Sequence, residues 1–160
     1  MYNNQGGAPN PPTFAKTIAI IHAALVIGQV LFGIVAYAVT KSIGLDLKPG
    51  NDPLFYIAPI LIVSGILLGS FLFKQQVSKL TDKNLLNEKL QGYQAALIIR
   101  FAMSEGPSLL GIVSYLLSGN VFYLILVVFN VLYFVWIRPT KDKIAEDLNL
   151  TYEDKIAMGI

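Results

Sequence analysis

Apolar residues fill four long blocks of this chain, and polar residues gather in the joints between them. The blocks cover residues 14–39, 53–73, 95–117 and 121–137. A helix rises about 1.5 Å per residue and a bilayer's hydrocarbon core is about 30 Å thick, so each block predicts a transmembrane helix. The fourth, about 17 residues, stands at the lower limit of what crosses. Residues 41–52 (KSIGLDLKPGND) carry Gly44, Pro49-Gly50 and Asn51-Asp52, turn formers that predict a loop. The Ser118-Gly119-Asn120 link is so short that the third and fourth spans must be antiparallel neighbours.

The joint at residues 74–92 is different, because Val77, Leu80, Leu85, Leu86 and Leu90 persist among its polar residues. That spacing predicts helix: the second span runs on to Leu80, a turn falls at Thr81-Asp82, and a new helix continues through Tyr93 into the third span. The predicted fold is all-α, an integral membrane antiparallel four-helix bundle with a cytoplasmic helical hairpin extension. Residues 1–13, rich in glycine, proline and asparagine, predict a disordered N-terminal tail, with Thr13 as the cap of the first helix. Residues 139–160 predict a cytoplasmic tail with short surface helices, one starting at a capping box from Thr151 to Asp154.

Composition agrees with the blocks: 54% of the 160 residues are hydrophobic and 14% charged, against roughly 25% charged in soluble domains. The positive charges are unevenly placed. Lys16, Lys74, Lys79, Lys83, Lys89, Arg138, Lys141, Lys143 and Lys155 fall on the side of the termini and the 74–92 joint, whereas Lys41 and Lys48 fall on the other. The positive-inside rule therefore predicts a multi-pass protein of the cell (inner) membrane with both termini cytoplasmic. With no cysteine and one histidine, disulfides, thiolate chemistry and imidazole-rich metal sites are excluded, and no cofactor or metal is expected. No motif for nucleic-acid binding or for intramembrane catalysis is present, so the expected class is not an enzyme. The expected partners are the lipid bilayer and either a second copy or a larger membrane complex.

The candidate chemistry lies in the polar residues inside the blocks. Charged groups there are costly and persist where they meet partners or water, which singles out Glu105. By the helical rise, His22, Glu105 and Asn130 each fall about 8–10 Å in from the cytoplasmic ends of their spans. Together with Ser104 they form a candidate proton or cation site, Glu105 being expected to pair across to His22 or Asn130. The alternative is that these groups are polar glue between helices. Arg100 is close enough to the boundary to reach the interface by snorkelling. Gly65 and Gly69, one turn apart, make a GxxxG surface for close helix approach, and Gly111 and Gln29 are further packing candidates.

Residues 100–117, RFAMSEGPSLLGIVSYLL, follow a glycine-containing span and a polar turn. In that order they resemble the helical hairpin of rotary ATPase proteolipid (ring) subunits, and the resemblance places Glu105 where those subunits carry their ion. It covers the second and third spans and leaves the first and fourth outside. As a whole the chain resembles small four-span bacterial membrane proteins without an assigned function. The two functions this implies are a structural or accessory bundle that self-associates or joins a membrane complex, and a proton- or cation-translocating or coupling subunit working through Glu105.

Overall fold

A computed structural model describes residues 9–40, 43–48 and 52–160, and the described residues are almost wholly helical. Six helices follow in order: α1 Pro11–Val39, α2 Leu54–Ser78, α3 Leu86–Ser118, α4 Val121–Trp136, α5 Lys141–Asp147 and α6 Tyr152–Ala157. Three of them, α1, α2 and α3, are long and apolar enough to cross a membrane. At 16 residues α4 reaches that class only together with α5, from which a 76° bend divides it. Pro139 lies in that bend, where a missing amide hydrogen and a fixed φ stop α4 from continuing.

Local chemistry sets the helix ends. Pro11 and Pro12 open α1, a position where the lost N–H has no intrahelical partner to miss, so the helix takes in residues 11–13 of the segment expected to be disordered. Of the remainder, residues 1–8 lie outside the described residues. Asp52 Oδ1 accepts from Leu54 N at 3.0 Å at the start of α2. The hairpin turn is wider than Thr81-Asp82, spanning residues 79–85 between α2 and α3. Gly119 ends α3 in the left-handed region at φ 68°, which glycine adopts without steric cost, and Asn120 then caps α4 through Phe122 N at 3.1 Å.

Helix α3 occupies the middle and packs against α1, α2 and α4. Its most extensive partner is α2, and the reason is legible atom by atom. Pro107 cannot donate to the Met103 carbonyl one turn back. A Cβ on Gly65 would collide with that carbonyl oxygen, and one on Gly69 would meet Met103 Cβ at 3.1 Å. The GxxxG pair therefore lets α2 lie directly over the turn that Pro107 opens. On the other flank, a Cβ on Gly111 would stand 2.6 Å from Val127 Cγ2, so α3 and α4 also approach closely.

Two apolar clusters result. One, around Phe14, Phe73, Tyr93, Phe101 and Phe134, is closed by Ile144, Leu148, Leu150 and Met158 from the C-terminal segment. The two short helices form as expected, and α6 itself buries no residue, but Ile144 and Ala145 of α5 with Leu148, Leu150 and Met158 beside the helices enter the core, and Tyr93 Oη fastens the segment by donating to Asp147 Oδ2 at 2.7 Å. The second cluster, around Ala36, Ile112, Tyr115, Tyr123 and Val127, lies toward the other end. There the 43–48 segment clasps the α3–α4 link: Val121 N donates to Gly44 O at 2.8 Å and Asn120 Nδ2 to Asp46 O at 2.9 Å.

Candidate functional site

A layer of buried polar side chains runs from the first cluster, where His22 lies, toward the second: His22, Gln29, Ser104, Ser108 and Asn130. Ser104 and Ser108 are four residues apart and so share one face of α3. Asn130, 1% exposed on α4, faces them. Its Nδ2 donates to Ser104 O at 2.7 Å and to Ser108 Oγ at 2.6 Å, and its Oδ1 accepts from Ser104 Oγ at 3.4 Å. Donors and acceptors are matched, forming a clamp between α3 and α4.

His22 serves another purpose. Its Nε2 lies 2.8 Å from Phe134 O, which fixes the ring proton on Nε2 because a carbonyl can only accept. Phe134 is within the last turn of α4, where carbonyls lack intrahelical donors, so His22 caps that helix from α1. The Phe101 and Phe134 rings hold it edge-on at 5.1 and 4.8 Å. With Phe101 beside His22 and Ile112 4.0 Å from the Cβ position of Gly33, α1 and α3 run parallel and in step. Gln29 then falls level with Ser108, yet neither of its amide atoms has a partner among the described residues.

Glu105 stays outside this layer. It is half-buried, and among the described residues it makes neither a hydrogen bond nor an ion pair. The expected pairing to His22 or Asn130 is not formed, because both are committed elsewhere and Glu105 is turned about 100° from Ser104 on α3. It belongs instead to a strip with Ile98, Ala102 and Leu109, all exposed on the outer face of α3. The proposed cluster of Glu105, His22, Asn130 and Ser104 is therefore split: the last three are internal, the first faces out.

The guanidinium of Arg100, expected at the interface, lies 4.7 Å from the centre of the Phe73 ring, and Nη2 donates to Tyr133 Oη at 3.4 Å. Tyr133 Oη in turn pairs with Ser70 Oγ at 2.8 Å, so α2, α3 and α4 meet around this cation. Ser108, Tyr133 and Phe73 were missed by sequence reasoning. The i, i+4 spacing of Ser104 and Ser108 was the one available signal, whereas Tyr133 and Phe73 look like any aromatic in an apolar block. Among the described residues no group of three or more His, Cys, Asp or Glu could hold a metal ion. Comparison of the chain with protein-family models, with curated proteins and with solved structures finds no match.

Proposed function

We propose that the chain is a four-span integral membrane protein, an antiparallel bundle with both termini and the 74–92 hairpin in the cytoplasm. Its role is that of a non-enzymatic accessory subunit, which joins a membrane complex through the outer strip of α3 that carries Glu105. The membrane-length helices, the broad apolar outer faces and the lysine asymmetry support the placement. One observation carries the role: Glu105 faces outward among Ile98, Ala102 and Leu109 without a partner among the described residues. A charged side chain inside a spanning helix is costly, up to roughly 2.5–3.5 kcal/mol at the centre on the translocon scale, and a partner from another chain offsets that cost.

Purification from native membranes in mild detergent tests this. Wild-type protein is expected to bring down a stoichiometric partner, or a second copy of itself, that the folded Glu105→Gln variant releases. Recovery of a monomer from wild type, or a partner indifferent to Glu105, overturns it.

The same outward, unpaired carboxyl favours a second reading, a proton- or cation-coupling subunit in which Glu105 acts without His22, Ser104 or Asn130. In that case purified protein in liposomes carries proton flux that Glu105→Gln abolishes while the fold survives. Absence of flux from wild type removes this reading.

A further inference from the structure

Where α2, α3, α4 and α5 converge there is a cavity of about 280 Å³ whose lining includes Ser70, Lys74, Arg100, Trp136, Lys143 and Asp147. Three cations and one carboxylate leave it positive by two charges, and the carboxylate is already engaged by Tyr93 Oη at 2.7 Å. Arg100 makes no ion pair among the described residues. Its Nε is buried without a hydrogen-bond partner, and its one side-chain bond, to Tyr133 at 3.4 Å, is long. Lys143 Nζ caps the carbonyls of Trp136 and Arg138 at 3.2 Å, which uses two of its three N–H groups and leaves one for the cavity.

A half-buried guanidinium with an unfilled donor, flanked by two lysines and lacking a counter-ion among the described residues, suits an anion with several acceptor oxygens. Phosphate oxygens match the guanidinium fork and the two point charges together. We propose that this cavity holds the phosphate of an anionic membrane lipid. The lipid source rests on the membrane placement proposed above: the cavity lies at the end of the helices marked by the lysine-rich side, and Trp136 on its rim is 74% exposed, as an interfacial anchor is. The acyl chains run along the apolar outer faces while Ser70 and the cations take the headgroup.

The test is native mass spectrometry of the purified full chain in detergent, titrated separately with phosphatidylglycerol, phosphatidylcholine and inorganic phosphate. The expected result is retention of phosphatidylglycerol over phosphatidylcholine, weakened about tenfold by Arg100→Gln, the equivalent of one charge-assisted hydrogen bond. Lys74→Gln, at an exposed position, is expected to weaken it in the same direction and covers the case in which the Arg100 variant does not fold. Equal retention of the two lipids, or retention unchanged in both variants, overturns the site. Binding of inorganic phosphate with no added retention of phosphatidylglycerol overturns the lipid source. Because the measurement needs no partner chain, Glu105→Gln is expected to leave it unchanged, which separates its failure from failure of the assembly role.

Discussion

Two carboxamides in one buried layer are expected to respond oppositely to the same replacement. Asn130 makes two short hydrogen bonds, at 2.6 and 2.7 Å, and a longer one at 3.4 Å, all to α3. Side-chain hydrogen bonds between membrane helices contribute on average about 0.6 kcal/mol and at most about 1.7. Asn130→Leu, which keeps the number and branching of side-chain heavy atoms, should therefore lower stability by about 1–3 kcal/mol, with the unpaired Ser108 hydroxyl adding to the loss. Gln29 is equally buried at 1% exposure but has no partner among the described residues for either amide atom. A buried unpaired polar group costs about 1–3 kcal/mol, so Gln29→Leu should raise stability by a similar amount. Equilibrium unfolding in mixed micelles, followed by the fluorescence of the single tryptophan, Trp136, would measure both. A double-mutant cycle with Ser108→Ala should show coupling for Asn130 and none for Gln29. If the two leucine variants shift stability in the same direction, or if Asn130 and Ser108 are energetically independent, the assignment of the layer is wrong.

Gly65→Ala drives a methyl against the Met103 carbonyl, and overpacking of this kind costs about 1–3 kcal/mol, readable as a lowered melting temperature. Gly106→Ala, whose Cβ meets nothing within 4 Å, should be neutral or slightly stabilising in the same assay. His22→Phe removes the cap on the Phe134 carbonyl and should destabilise the bundle by about 1–3 kcal/mol, with faster amide exchange confined to the end of α4. Tyr93→Phe cuts the bond to Asp147 and should make α5 and α6 more sensitive to protease by several-fold without changing the helix content of α1 to α4. Thr151→Ala removes the capping box of α6 and should cost about 1 kcal/mol, seen as increased cleavage of the last residues.

Glu105 was legible because a charge inside an apolar block is costly, and the fold gives that carboxyl an outward position. The packing glycines were legible because Gly65 and Gly69 stand one turn apart beside an apolar face, and their partner is the turn loosened by Pro107. The role of the C-terminal segment was not legible. Its charges read as surface, while Ile144, Leu148 and Met158 are too few to show a periodicity, yet each is fully or nearly fully buried beneath the helices.

By itself the sequence determined that the chain is helical, where each apolar helix runs, where prolines, Gly119 and the capping residues stop it, and which end gathers the lysines. These are sums over neighbouring residues: hydropathy adds along a segment, and capping acts within one turn. Only the tertiary structure decided which polar groups meet. Depth along a helix can be counted from the sequence, but pairing depends also on rotation and on register between helices, and about 100° of turn separates the buried Ser104 from the outward Glu105. That single step of rotation turns Ser104 to Asn130 and sends the carboxyl to the outer face, while the register of α1 against α4 gives His22 to the Phe134 carbonyl.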